Sequence, residues 1–262
     1  MNGARRRPAA PMRRPLSPRI TLSEEDGVRY LHFGTEWVQG AMRIGRPWQI
    51  ELEYQQQMMA PLLFLPQPAR VLQLGLGAAA LARFCWRHLP PAEIVVVEIS
   101  DEVVAAARRW FALPDEDDRF SLLLDDARDV VSHPRRRRSV DWLQVDVYDR
   151  AARGPVLDDD AFYAACRHVL RGPGVAAFNL FGRGFDASLA RIAAAFDGRT
   201  LVLPEADAGN RIVLAFSGPP LTAPWPALYR RASEIERQFG LPARKWVSGL
   251  RGSAGDATSL NV

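Results

Sequence analysis

The sequence predicts an α/β fold, a Rossmann-like doubly wound sheet preceded by a small N-terminal β-domain. From residue 69 onward, short apolar runs such as VLQLGLG and EIVVVEI alternate with helical stretches such as AALARFCWRHL. Such alternation indicates parallel strands joined by crossover helices. Before Pro47, strand-like runs separated by turn signals occur instead. The chain has 262 residues, 48% of them apolar, which suffices for one sizeable core and a small appended domain.

Residues 1–19 form the first predicted segment, an Arg/Pro-rich tail with six arginines and no acid. It offers too little apolar surface to offset the entropy of ordering it, so we expect disorder. A solvated terminus is favoured over an arm that binds nucleic acid or an acidic partner. The second basic run, Arg135 to Arg138, is expected to be a solvated loop, so nucleic-acid binding has little else to support it.

Residues 20–66 are predicted to form the β-domain and a connecting helix. ITLSEEDGVRYLHFG holds two strand-type runs around Glu25-Asp26-Gly27, a hairpin signal, and TEWVQGAMRI adds a strand. From Pro47, WQIELEYQQQMMAPLLFL carries a helical stripe of apolar residues. We expect a helix there, joining the two parts of the chain.

Residues 67–240 are predicted to form the doubly wound domain. After VDWLQVDV come a helix (DAFYAACRHVL), a strand (GVAAFNLF) and another helix (ASLARIAAAF). TLVLPE and NRIVLAFSG are separated by a short turn and should form an antiparallel hairpin at the sheet edge. PALYRRASEIERQFGL indicates an amphipathic helix, and residues 241–262 are predicted to form a C-terminal tail that is loose after Trp246.

Several function classes are disfavoured by composition. No stretch approaches the roughly 20 apolar residues needed to cross a bilayer, and the N-terminus lacks the apolar core of a signal peptide, so a cytoplasmic location without membrane partners is expected. Cys85 and Cys166 are too few for a disulfide scaffold or a zinc site and should pack in the core. The four histidines show no ligand spacing, so no metal is expected.

Three features in succession point to a nucleoside. Gly75 and Gly77 lie between a buried strand and a helix, where glycines let the backbone approach a ligand. Glu98 ends the next strand and can accept hydrogen bonds from ribose hydroxyls. Asp125 and Asp126 end the strand after that, where an acid can accept from an adenine amine. The alternatives are a simple turn, a helix cap at Glu98 and an N-cap at Asp126.

An S-adenosyl compound is favoured over NAD as the ligand. The phosphate-binding fingerprint requires a third glycine, and Ala80 occupies that position. Because a nucleoside without phosphates needs no such cradle, methyl transfer and aminopropyl transfer both remain open. LQVDVYD then adds Asp146 and Asp149 after another strand, either as solvated acids or as substrate contacts.

Together these motifs resemble the spermidine synthase (aminopropyltransferase) family from about Tyr30 to Leu180. WVQGAM resembles its glutamine-bearing strand, EYQQQMMAPLL its Tyr-His-Glu-Met helix, VVEIS and DDAR its nucleoside contacts, and Asp146-Val-Tyr-Asp149 its D-x-x-D loop. The resemblance implies a small N-terminal β-domain before a sheet of the S-adenosylmethionine-dependent methyltransferase type.

The resemblance also implies an activity, the transfer of an aminopropyl group from decarboxylated S-adenosylmethionine to a polyamine such as putrescine. The co-substrate is then S-adenosyl in type, with no prosthetic group, and a homodimer is expected. The implied catalytic base is Asp146. The implied substrate and nucleoside contacts are Gln39, Tyr54, Asp149, Gly75, Gly77, Glu98, Asp126 and Ala127.

The chain departs from the family pattern at three places. Ala78 stands where the family's glycine loop has an acid, Gln55 to Gln57 replace its His and Glu, and Arg150 follows Asp149 in place of a proline. Asp158, Asp159 and Asp160 are predicted to cap the next helix rather than to bind a polyamine. An S-adenosylmethionine-dependent methyltransferase and a non-catalytic relic remain alternatives.

Overall fold

A computed structural model describes residues 19–148, 155–182, 184–206 and 209–262. Almost all of the predicted N-terminal tail therefore lies outside the described residues, as does Asp149 of the D-x-x-D motif. Within these ranges, no helix is long and apolar enough to span a membrane.

Three antiparallel strands form the N-terminal sheet: β1 (Thr21–Glu25), β2 (Val28–His32) and β3 (Val38–Arg43). The β1–β2 hairpin turns at Asp26 and Gly27, both with positive φ, as a tight two-residue turn requires. Leu31 and Met42 pack with Ala78 and Phe111 in a small core of buried residues. The N-terminal sheet is thus anchored on the larger domain, as its apolar face demands.

Only two short helical turns join the N-terminal sheet to the larger domain, so the prediction of one continuous connecting helix is wrong. They are α1 (Glu53–Gln57) and a 3₁₀ turn at Ala60–Leu63. Pro61 lacks the backbone N–H that an α-helix needs at that point, so the apolar residues around it pack without helical continuity.

Seven strands form the central sheet, in the order β6-β5-β4-β7-β8-β10-β9. Five are parallel, and β10 runs antiparallel to both β8 and β9, so the predicted edge hairpin is confirmed. The strands are β4 (Arg70–Leu74), β5 (Glu93–Glu98), β6 (Phe120–Leu124), β7 (Val140–Val145), β8 (Leu170–Phe181), β9 (Thr200–Val202) and β10 (Asn210–Ser217).

Helices cover both faces of this sheet. The helices are α2 (Ala80–His88), α3 (Asp101–Trp110), α4 (Ala127–Ser132), α5 (Asp160–Val169), α6 (Phe185–Ala195), α7 (Trp225–Phe239) and α8 (Ala243–Ser253). Side chains of α2, α3, α7 and α8 fill the core on one face, and those of α4, α5 and α6 fill the core on the other. The predicted doubly wound α/β class is confirmed.

Local hydrogen bonds explain two further parts of the sequence. Asp159 accepts from the backbone N–H of Phe162 and so caps α5, as predicted for this acidic run. The basic run before β7 forms a short 3₁₀ turn, Pro134–Arg136, in which Arg135 is exposed. Cys85 and Cys166 are buried free thiols, in agreement with their expected core position.

The C-terminal segment 241–262 is ordered, which corrects the expectation of a loose tail. It forms α8, and a last strand, β12 (Ser259–Asn261), pairs with β11 (Thr222–Pro224). Trp246, Val247 and Leu250 lie on one side of α8 and are buried in the core. A tryptophan that is only 1% exposed binds this segment to the domain.

Replacing Trp246 with Ala should lower the free energy of unfolding by about 3 to 5 kcal/mol, because a large buried side chain leaves a cavity. Arg244→Ala, at an exposed position of the same helix, should change it by less than about 0.5 kcal/mol. Urea denaturation measures both. Equal effects of the two variants would contradict the docking of α8.

Candidate active site

The strand order reverses between β4 and β7, and the segments that follow these strands meet there. Gly75 has φ +88°, and a Cβ at this position would lie 2.1 Å from the carbonyl oxygen of Asp146. The backbone N–H of Gly75 donates to Val97, and that of Asp146 donates to Leu74. Glycine is therefore required for Asp146 to reach this position, at the edge of the sheet where open α/β folds bind their ligands.

Strand β3 lies against the glycine loop. A Cβ on Gly77 would lie 3.2 Å from the carbonyl oxygen of Gln39, and one on Gly40 would lie 2.6 Å from the Cβ of Ala78. The side-chain nitrogen of Gln39 is buried and has no hydrogen-bond partner among the residues that the structure describes. Since an unpaired buried donor costs about 1–3 kcal/mol, this nitrogen is available to a ligand.

The side chain of Arg83 in α2 connects the glycine loop to two neighbouring segments. Its side chain is fully buried and donates to the backbone oxygens of Pro47, Ala78 and Phe111. Desolvation lowers the pKa of the guanidinium to about 9. One buried cation thus connects the end of the N-terminal domain, the glycine loop and the residue after α3.

Glu98 points back into the loop. Its carboxylate accepts from the backbone N–H groups of Leu76, Ile99 and Ser100 at 2.9–3.0 Å. Burial raises its pKa, and these backbone hydrogen bonds oppose the rise. The N-cap of α3 is Ser100, whose hydroxyl accepts from Val103, so Glu98 does not cap that helix. The backbone N–H of Gly77 acts on the carboxylate in the same direction, so its roughly four acceptor positions are shared among four backbone donors.

Asp126 caps α4 by accepting from the backbone N–H of Arg128 at 2.7 Å, which is the structural alternative considered for it. Ala127 follows as the first residue of α4 and is buried. Two apolar residues near these acids were missed by the sequence reasoning: Ile99 is 52% exposed and Leu124 is 49% exposed. Large aliphatic side chains left exposed beside a buried acid form a surface that a flat ring can cover.

Asp146 is held by two neighbours. Asn179 of β8 donates to its Oδ1 at 2.8 Å, and the hydroxyl of Tyr54 in α1 also forms a hydrogen bond with its carboxylate. Desolvation raises the pKa of Asp146 to about 6, against the lowering effect of both hydrogen bonds. Burial and the charge of Asp146 together raise the pKa of Tyr54 well above its usual value. The carboxylate is thus the acceptor in this cluster.

Asn179, Asn210 and Tyr148 complete the cluster and were not predicted. Asn210 donates through Nδ2 to Oδ1 of Asn179 at 2.9 Å, and the Tyr148 hydroxyl donates to the backbone oxygen of Asn179 at 2.8 Å. Both asparagines are buried. A signal was present, because each is a polar residue in or next to an apolar strand, in GVAAFNLF and NRIVLAFSG.

Tyr54, Gly75 and Asp146 therefore meet at one edge of the sheet, where Gln39 lies against Gly77 of the same loop, and Glu98 and Asp126 lie at the ends of the next strands. Gln55 and Gln57 are buried, and within the described part of the chain the side-chain oxygen of each has no hydrogen-bond partner. Across the ranges that the structure describes, no group of three His, Cys, Asp or Glu side chains could hold a metal.

Comparison with known proteins identifies close relatives. No family model matches the chain. The polyamine aminopropyltransferase of Chromobacterium violaceum is 36% identical over 236 residues, which cover 89% of this chain and 90% of the relative. The polyamine aminopropyltransferase of Neisseria meningitidis serogroup A is 30% identical over 239 residues, 90% of each chain.

Solved structures resemble the fold. A probable spermidine synthase from Corynebacterium glutamicum has a TM-score of 0.69 at 22% identity and covers 88% of this chain and 91% of its own. Human methyltransferase-like protein 13 in complex with SAH has a TM-score of 0.63 at 25% identity, covering 72% and 92%. A spermidine synthase in complex with the transition state analogue AdoDATO has a TM-score of 0.62 at 19% identity, covering 88% and 85%.

The raised pKa of Asp146 predicts a pH-dependent cost to stability. Its value of about 6 lies above the value of about 3.9 expected for the unfolded chain, so the folded state binds the proton more tightly. Stability should therefore fall as the pH rises from about 4 to about 6. Asp146→Asn removes the desolvated charge and should raise the melting temperature at about pH 8.

Thermal unfolding across this pH range tests that expectation. The gain in melting temperature of Asp146→Asn over the unmodified protein should shrink towards about pH 4. Asp118→Asn, at an exposed position, is the control and should give no gain that varies in this way. An advantage of Asp146→Asn that stays constant with pH would contradict the raised pKa.

Proposed function

The chain belongs to the polyamine aminopropyltransferase family, and from this premise we propose that it transfers an aminopropyl group from decarboxylated S-adenosylmethionine to an amine such as putrescine. One observation carries the proposal beyond family membership. A desolvated carboxylate, Asp146, lies beside the glycine loop at the carboxyl edge of the sheet and is held in place by Asn179 and Tyr54.

Asp146 is suited to the role of base. An alkylamine with a pKa near about 10 is almost fully protonated at neutral pH, so its nitrogen must lose a proton before it can attack. A carboxylate with a pKa of about 6 is ionised near pH 8 and is a stronger base than an ordinary aspartate. Without such a base, the ammonium would be repelled by the sulfonium that it must approach.

The reaction balances as an in-line displacement. The nitrogen lone pair forms a bond to the aminopropyl carbon attached to sulfur, and the carbon–sulfur bond breaks. Its electron pair stays on sulfur, so the sulfonium becomes neutral methylthioadenosine. The proton from the amine goes to Asp146. Holding both reactants at this site lowers the entropic cost of the step.

The nucleoside end of the donor would lie along the ends of β5 and β6. Glu98 would accept from a ribose hydroxyl alongside its backbone donors, and Ile99 and Leu124 offer apolar surface to the adenine ring. Asp126 and Ala127 would contact the edge of the adenine. Gly75 and Gly77 let the loop backbone approach the ligand, and the unpaired side-chain nitrogen of Gln39 would donate to an oxygen of the nucleoside.

The acceptor amine would bind beside Tyr54 and Asp146, with Asp149 as a second carboxylate by family resemblance. Gln55 and Gln57 make this side of the site neutral. S-adenosylmethionine-dependent methyl transfer is the competing candidate. It is favoured by Ala78, which stands where the family has an acid to bind the donor's amino group and is completely buried beneath Gly40.

Calorimetry and product analysis separate the two reactions. Methylthioadenosine and decarboxylated S-adenosylmethionine should bind, and incubation with putrescine should give an aminopropylated product. Tighter binding of the carboxylated donor together with a methylated product would overturn the proposal. Binding of none of these compounds would support a non-catalytic relic.

Asp146→Asn should lower kcat by about 10²–10⁴-fold, because the amine then has no base, while the affinity for methylthioadenosine stays nearly unchanged. The kcat/KM of the unmodified protein should rise with pH through about 6 as Asp146 ionises. Asp118→Asn should retain full activity. Turnover that survives in Asp146→Asn would exclude Asp146 as the base.

A further inference from the structure

Two buried amides stand in series behind the carboxylate of Asp146. Asn210 donates to Oδ1 of Asn179 at 2.9 Å, and Asn179 donates from Nδ2 to Oδ1 of Asp146 at 2.8 Å. Asn179 is 4% exposed and Asn210 is 8% exposed. Both bonds lie within ordinary hydrogen-bond length, so they form a continuous chain from β10 through β8 to Asp146.

The direction of these two hydrogen bonds matters because a side-chain amide has a donor end and an acceptor end. If Asn179 were turned over, its oxygen would face the carboxylate, and two acceptors would repel each other. The N–H of Asn210 removes this choice, since it requires the oxygen of Asn179 on its own side. The donor end of Asn179 is then left for Asp146.

We propose that Asn210 is a positioning residue for the reaction: through Asn179, it determines that a hydrogen-bond donor faces Asp146. This rests on the proposed function only in that Asp146 is taken as the base. Asn210 acts from a distance, and its effect on catalysis passes through the amide of Asn179. We call the hydrogen bonds from Asn210 through Asn179 to Asp146 the relay. It orients the carboxylate in the way that the third residue of a catalytic triad orients the base.

The backbone around both asparagines is well anchored. Antiparallel pairing sets Asn210 opposite Phe181 and Ile212 opposite Asn179, so the two amides lie on the same face of neighbouring strands. Ala206 donates to the backbone oxygen of Asn210, and Tyr148 donates to that of Asn179. Rigid strands thus carry the relay, as precise positioning requires.

Few charges compete with the relay. Among the described residues, the titratable groups coupled to Asp146 are Tyr54 from α1 and Tyr148 from the segment after β7. The strands β8 and β10 contribute neutral amides. Because the hydrogen bond from Asn179 lowers the pKa of Asp146, losing the orientation of that amide should raise it.

Two substitutions test the relay. Asn210→Ala removes the donor, and Asn210→Asp replaces it with an acceptor of the same shape that attracts the donor end of Asn179. Carbon-13 NMR of labelled aspartate carboxyls, assigned with Asp146→Asn, should show a higher pKa for Asp146 in Asn210→Ala than in the unmodified protein. In assays, kcat should fall about tenfold in Asn210→Ala and further in Asn210→Asp, with unchanged affinity for methylthioadenosine.

Arg211→Ala is the matched control, since Arg211 is the next residue of β10 and pairs with Glu205 outside the relay. It should leave both the pKa of Asp146 and kcat unchanged. A pKa of Asp146 that is unmoved in Asn210→Ala would overturn the proposal, even if melting temperature or kcat changed. Because the NMR titration needs no turnover, this result is separate from any failure of the aminopropyl transfer itself.

Discussion

The contact between Gly75 and the backbone of Asp146 is the constraint on which the site depends. A side chain at position 75 would overlap the carbonyl oxygen of Asp146, so the two strand ends meet only because one of them carries glycine. This contact lies where the strand order reverses, between β4 and β7. The glycine loop and the proposed base are therefore positioned by one feature of the sheet, and neither can shift alone.

Much of the fold could be predicted because the strands are nearly continuous apolar runs bounded by turn residues, a pattern that indicates a sheet buried on both faces. Two predictions, the continuous connecting helix and the loose C-terminal tail, were wrong for physical reasons. The stripe around Met58 and Met59 is apolar enough for a helix, but Pro61 interrupts its hydrogen bonds. The stripe of α8 around Trp246 has helical spacing, but Gly249 and Gly252 within the helix weaken its helical propensity and hid the signal.

The positions of candidate residues were predictable where an acid follows a strand end along the chain, as with Glu98, Asp126 and Asp146. Asn179 and Asn210 were missed because their roles depend on the register between two antiparallel strands, which a single sequence does not reveal. The same limit applies to Ile99, whose exposure follows from the strand arrangement. Buried polar residues in apolar strands are the signal that could have found the asparagines.

The fit of Gly40 against Ala78 constrains how this chain could change by mutation. A Cβ on Gly40 would lie 2.6 Å from the Cβ of Ala78, and Ala78 is completely buried. A larger residue at position 40 or 78 has no space unless β3 and the glycine loop move apart. An acid at position 78 therefore requires more than the single substitution. Strand β3 would have to move outward, and that move would expose the glycine loop against which the nucleoside is proposed to lie.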